Sequence, residues 1–91
     1  MDNAQRIQQI EQRLTDKLAA ENVDVIDESH MHAGHAGAKT GLGHFNVTVV
    51  AEAFAGKTLI QRHRQVYDAL GEMMQTDIHA LSIKAYTPDQ L

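Results

Sequence analysis

The second half of the chain constrains the fold most, because a strand, a helix and another strand follow one another closely. Segment 44–51, "HFNVTVVA", alternates apolar and polar residues, which is the period of a half-buried strand. A helix beginning near Thr58, a residue suited to an N-cap, separates it from a second strand, "IHALSIKAY", at 78–86. A single intervening helix favours parallel strands joined by a right-handed crossover.

The first half of the chain predicts one helix and one strand. Apolar residues recur at three- and four-residue spacing from Ala4, and we expect this helix to end near Asn22. They are Ile7, Ile10, Leu14 and Leu18. The β-branched run "VDVID", Val23 to Asp27, predicts a strand antiparallel to the next one. The fold class is therefore α+β: a single α-β-β-α-β domain, 1–91, with a three-stranded mixed sheet and the helices packed on one face.

The buried faces of the later elements can be predicted from the same periodicities. For the second helix, the expected stripe is Leu59, His63, Val66, Leu70 and either Met73 or Met74. His63 is interpreted as a hydrogen-bonded histidine of the core or its edge. For the last strand, the residues expected to share a face are His79, Leu81, Ile83 and Ala85.

Composition excludes several classes of function. The 91 residues include no cysteine, which removes disulfides, thiolate metal ligands and thiol nucleophiles. A formal charge of −4 disfavours a general electrostatic attraction to nucleic acid. No export signal or membrane-spanning run is evident, so we expect a cytoplasmic protein. No arrangement of nucleophile and base, or of paired carboxylates, predicts an enzyme.

Histidines are concentrated where the first two predicted strands are joined. His30, His32 and His35 lie in a glycine-rich segment, 29–43, that is interpreted as a loop. Neutral imidazole binds zinc, copper, nickel and iron, although such a segment can equally be a solvated loop. Because parallel strands begin at the same edge of a sheet, we expect His79 to lie beside His44 and this loop. Metal ligands could therefore come from both places, or the loop could bind copper, nickel or zinc by itself.

A second candidate surface is basic. Lys57, Arg62 and Arg64 form the main local cluster of positive charge around the second helix, with both arginines expected to point away from the core. Such a cluster is usually a solvated helix face, but it could also contact a phosphate backbone.

Taken in order, several short motifs resemble the BolA family. They are "DES" before the loop, "HF" opening the second strand, "FAGK" followed by "RHRQVY", and "IHALSIKAYTP". The resemblance implies a domain similar to the class II KH fold and a non-enzymatic role in iron–sulfur handling. It also implies a heterodimer with a CGFS monothiol glutaredoxin, in which a [2Fe–2S] cluster is shared with the glutaredoxin and glutathione.

The resemblance implies site residues as well. His79 matches the histidine of the family's "HAL" segment, a cluster ligand. The second ligand lies in the loop, where His32 aligns best and His30 and His35 are alternatives. Histidine can replace cysteine on one iron of such a cluster. An alternative function implied by the family is a KH-like DNA-binding transcriptional regulator of the stress response and cell morphology, with Lys57, Arg62 and Arg64 as contacts. A homodimer is a further possibility for the chain.

Overall fold

The computed structural model describes residues 2–29 and 43–91 and confirms the predicted order of elements. Its helices are α1 (Asn3–Leu18), α2 (Leu59–Leu70) and the short α3 (Met73–Thr76), and its strands are β1 (Asn22–Asp27), β2 (Gly43–Val50) and β3 (Ile78–Tyr86). Two short 3-10 helices, Glu52–Phe54 and Pro88–Gln90, follow β2 and β3. No helix within 2–29 or 43–91 is long and apolar enough to cross a membrane.

The sheet has the strand pairing that the sequence predicts. Its order is β1-β2-β3. β1 is antiparallel to β2, with Val25 opposite Val47, and β2 is parallel to β3, with Val47 opposite Ile83. The starts of β2 and β3 therefore lie side by side at one edge of the sheet.

The core lies between the sheet and the two long helices, which also pack against each other. Ile10 and Leu14 of α1 and Val66 and Leu70 of α2 are fully buried. The core-facing residues of β2 are Phe45, Val47 and Val49. A mixed sheet with the helices on one face is thus confirmed, and the opposite face carries more polar residues, among them Asn46, Thr48, Ser82 and Lys84.

The predicted end of the first helix is wrong. α1 stops at Leu18, and Asn22 is already the first residue of β1. Ala19 adopts the left-handed conformation, with φ 50° and ψ 43°, which reverses the chain before the predicted end. At its other end, Asp2 caps the helix by accepting a hydrogen bond from the Gln5 N–H at 2.8 Å.

α2 begins as predicted, because the Thr58 side chain caps the N–H of Gln61 at 3.2 Å. Its predicted stripe is wrong at Leu59, whereas Met73 is buried in the core as predicted, with 2% exposure. Leu59 is 65% exposed, while Phe54 in the preceding turn is fully buried. The helix ends before Met73 because Gly71 adopts φ 57° and ψ −130°, a conformation that only glycine adopts readily.

Candidate functional site

The edge of the sheet where β2 and β3 begin contains an irregularity that the sequence does not reveal. Gly43 pairs with Ile78, but the next pair joins His44 to Ala80, so His79 is an extra residue in a β-bulge. Ile78 takes the buried position and His79 is exposed. The prediction that His79 shares the apolar face of Leu81 is therefore wrong, and the bulge is the reason.

The bulge brings two histidines together. The ring centroids of His44 and His79 lie 4.9 Å apart, with the ring planes tilted by 45°. His44 is only 6% exposed and also borders a shallow cleft with Glu28, Ala80 and Ser82. The predicted convergence of His79 with His44 is confirmed. His30, His32 and His35 lie outside the described residues, so their predicted place beside His79 stays a prediction.

Hydrogen bonds join the residues on either side of segment 30–42, and we call this group, Asp27, Glu28, Ser29 and His44, the clasp. The Oγ of Ser29 accepts the N–H of His44 at 3.0 Å, and the N–H of Glu28 donates to the carbonyl of His44 at 2.8 Å. The carboxylate of Asp27 accepts the N–H of Ser29 at 2.9 Å. The residues of the "DES" motif therefore hold β1 against the start of β2.

The first turn of α1 extends this clasp across the sheet edge. The amide of Asn3 donates to Asp27 Oδ2 at 3.0 Å and to Ser29 Oγ at 3.3 Å. Arg6 donates to Asn3 Oδ1 at 2.9 Å and forms an ion pair with Asp77, Nε to Oδ1, at 3.4 Å. Asp77 directly precedes β3, and its carbonyl accepts the N–H of Gly43 at 3.0 Å.

This edge offers the imidazole of His79, and neutral imidazole is a group that can bind a metal ion. His79 as a residue is exposed at the protein surface. Within residues 2–29 and 43–91, no group of three or more His, Asp or Glu side chains is arranged to hold a metal ion. In a [2Fe–2S] cluster, imidazole can occupy a ligand position otherwise held by thiolate.

His63 lies elsewhere, on α2, and is half-buried as its position in the stripe predicts. Its Nε2 is enclosed and has no hydrogen-bond partner among the described residues. The hydrogen bond expected of His63 is therefore not made at Nε2 within residues 2–29 and 43–91.

The structure divides the predicted basic cluster. Arg62 does not point away from the protein: it donates to the carbonyls of Ala85 at 3.0 Å and Lys57 at 3.1 Å and to Gln90 Oε1 at 2.7 Å. Arg62 therefore ties α2 to the end of β3 and to the C-terminal 3-10 helix. The side chains of Lys57 and Arg64 are exposed along a shallow groove on α2.

Sequence reasoning missed Asn3, Arg6 and Asp77. Asn3 and Arg6 are polar residues of an amphipathic helix, and such residues normally face solvent. For Asn3 and Arg6, the signal in the sequence was their position in the first turn of α1. Once the strand order is known, this turn is expected to lie beside the end of β1.

Together, the fold and this edge define a small mixed α+β domain in which two histidines meet where parallel strands begin. The chain belongs to the BolA family: the family model described as BolA-like protein matches residues 14–90. The solved BolA domain of SufE1 from Arabidopsis thaliana superimposes with a TM-score of 0.84 and is 41% identical, covering 94% of this chain and 95% of that domain.

Relatives of different kinds share this domain. SufE-like protein 1, chloroplastic/mitochondrial, of Arabidopsis thaliana is 40% identical over 87 residues, covering 90% of this chain but 24% of that protein. Protein BOLA1, chloroplastic, of the same plant is 40% identical over 88 residues, covering 93% of this chain and 55% of that protein. The DNA-binding transcriptional regulator BolA of Escherichia coli is 37% identical over 82 residues, covering 86% of this chain and 75% of that protein.

Proposed function

We propose that this chain is a non-enzymatic adaptor in iron–sulfur cluster handling that contributes histidine to a [2Fe–2S] cluster held jointly with a monothiol glutaredoxin. The observation that carries the proposal is the exposed His79 on its bulge, with its ring 4.9 Å from the ring of His44. An exposed histidine on a hydrogen-bonded strand can reach a metal presented by another protein.

The chain's own residues have separate roles in this proposal. His79 is the ligand on the fixed side of the site, and one of His32, His30 and His35 is the second. The cluster, with sulfur ligands from the glutaredoxin and glutathione, supplies electron-transfer or cluster-transfer chemistry. The imidazoles must be neutral to bind, so complex formation should weaken in acid.

The experiment titrates a cluster-loaded CGFS glutaredoxin with the wild-type chain and with His79→Ala, following visible absorption and circular dichroism without oxygen. We expect a new spectrum with the wild type and its loss or alteration with His79→Ala. His63→Gln is the matched control, because it removes a histidine from α2 and should leave the new spectrum intact.

Single substitutions of His30, His32 and His35 then identify the second ligand. Two outcomes would overturn the cluster proposal: no complex at all, or a complex whose spectrum is identical for the wild type and His79→Ala. Tight binding of zinc or copper by the chain alone, lost on replacing the three loop histidines, would instead indicate a standalone metal binder.

DNA binding is the second candidate function, favoured by the exposed Lys57 and Arg64 and by the name of the Escherichia coli relative, a DNA-binding transcriptional regulator. It predicts binding that weakens steeply with salt and falls on Lys57→Ala or Arg64→Ala. Arg62→Ala would be a poor test, because Arg62 holds the chain's own carbonyl oxygens. Absence of binding at low salt would eliminate this candidate.

A further inference from the structure

The histidine edge is the end of the sheet where His44 and His79 lie, and the first turn of α1 forms hydrogen bonds to residues beside both of them. We propose that Asn3 and Arg6 are positioning residues that set the His44 and His79 backbone segments relative to each other. The expected effect of these residues on cluster binding rests on the proposed function. Their expected effect on the positions of His44 and His79 in the metal-free protein does not.

Asn3 acts on the His44 side of the edge. Its amide donates to Asp27 and to Ser29, and Ser29 Oγ in turn accepts the N–H of His44 at 3.0 Å. Ser29 directly precedes segment 30–42 and His44 lies two residues after it, so Asn3 supports the hydrogen bond that joins Ser29 to His44. Removing the amide would leave the Asp27 carboxylate and the Ser29 hydroxyl without this shared donor.

Arg6 acts on the His79 side through Asp77. The Arg6 and Asp77 side chains are 12% and 13% exposed, so solvent screens this ion pair less than an exposed one. Asp77 lies two residues before His79, and its carbonyl accepts the N–H of Gly43. The ion pair therefore sits at the entrance to the bulge.

The two sides are linked by one further bond, from Arg6 Nη1 to Asn3 Oδ1 at 2.9 Å. The chain Asp77–Arg6–Asn3–Ser29 thus runs from the start of β3 to a residue after the end of β1 that accepts the N–H of His44 in β2. Groups that hydrogen-bond directly to metal ligands typically contribute on the order of 10- to 100-fold to metal affinity, and Asn3 and Arg6, which act through the backbone, are expected at the lower end of that range. Asn3 and Arg6 also precede residues 14–90, the range matched by the family model.

The test compares Asn3→Ala and Arg6→Ala with Arg13→Ala. Arg13 is the matched control, because it also anchors α1, by donating to the carbonyl of Leu70 at 2.9 Å at the end of α2. Its replacement should destabilise the fold without acting on the histidine edge. Arg6→Lys keeps a charge for Asp77 and should preserve part of the effect.

The first readout is NMR of the metal-free protein, recording the imidazole signals of His44 and His79. We expect both sets to shift in Asn3→Ala and Arg6→Ala and to stay at the wild-type positions in Arg13→Ala. The free energy of unfolding of each variant is measured with urea. The NMR shifts of the variants can then be compared with the stability that each variant has lost. Signals that move equally in all three variants would overturn the positioning role.

The second readout is the rate at which the cluster is lost from the glutaredoxin complex. We expect loss to be faster by on the order of 10-fold in Asn3→Ala and Arg6→Ala. If the NMR signals shift as expected but no complex forms even with the wild type, the proposed function fails and the positioning role stands. If the complex forms but these two variants match Arg13→Ala in both readouts, the positioning role fails and the proposed function stands.

Discussion

Gly43→Ala is a sharp test of how the core and the histidine edge are joined. A Cβ built on Gly43 would overlap the Cε2 and Cζ atoms of the Phe45 ring and lie 3.3 Å from Asn3 Oδ1. Phe45 is 2% exposed, so its ring has little room to move aside. The methyl group must therefore push the ring off its rotamer or shift the backbone beside His44.

The expected cost follows from these two responses. An off-rotamer ring costs about 0.5–1.5 kcal/mol, and overpacking a core costs about 1–3 kcal/mol. We expect Gly43→Ala to lower the free energy of unfolding by about 1–3 kcal/mol and to shift the His44 and His79 imidazole signals.

A double-mutant cycle isolates the proposed cause. Phe45→Leu removes the ring atoms that meet the new methyl, so it should relieve the clash and give a coupling energy of about 1 kcal/mol or more with Gly43→Ala. Gly56→Ala is the control: Gly56 has φ 73°, and beyond its two chain neighbours none of the described residues has an atom within 4 Å of its Cβ position, so the cost is conformational. Its coupling with Phe45→Leu should stay within about 0.5 kcal/mol.

Urea unfolding gives the free energy of unfolding of the three single variants and of the two double variants that combine Phe45→Leu with Gly43→Ala or Gly56→Ala. The comparison requires an unchanged m-value. Costs of Gly43→Ala and Phe45→Leu that simply add, within about 0.5 kcal/mol, would refute the steric argument.

Two further predictions concern the C-terminal segment. Arg62→Ala should lower the free energy of unfolding by about 1–2 kcal/mol, because its hydrogen bonds are lost. In the same urea experiment, Arg64→Ala should change the free energy of unfolding by less than about 0.5 kcal/mol. Equal effects of the two substitutions would contradict the structural role of Arg62. A hydrogen bond from the Thr87 side chain, helped by a backbone hydrogen bond and by the charge of Arg62, holds the pKa of Asp89 below its usual 3.8. Because the folded pKa is the lower one, the ionised carboxylate stabilises the fold above pH 3.8, and this contribution disappears as the pH falls through the folded value. A carboxyl NMR titration checks it, and a pKa at or above 3.8 would contradict it.

The candidate site could be predicted in part. The parallel crossover followed from one helix lying between two strands, and it correctly brought His79 to the edge where His44 lies. The exposure of His79 could not be predicted from alternation, because one extra residue in a bulge reverses which face a side chain takes. The roles of Lys57 and Arg64 in binding DNA, and of the loop histidines in binding metal, stay predictions.

By itself, the sequence determined the order of the elements, the strand pairing and most of the core, because helix and strand periods are repeated locally over many residues. Only the tertiary structure decided where single residues went. α2 ends at the conformation of Gly71, and Arg62 donates to the carbonyl of Ala85 in β3. Asn3 forms a hydrogen bond with Asp27, and Arg6 forms an ion pair with Asp77. The two residues of each pair are far apart in the chain. Whether they form a bond depends on their distance in the folded protein, which a local sequence pattern does not contain.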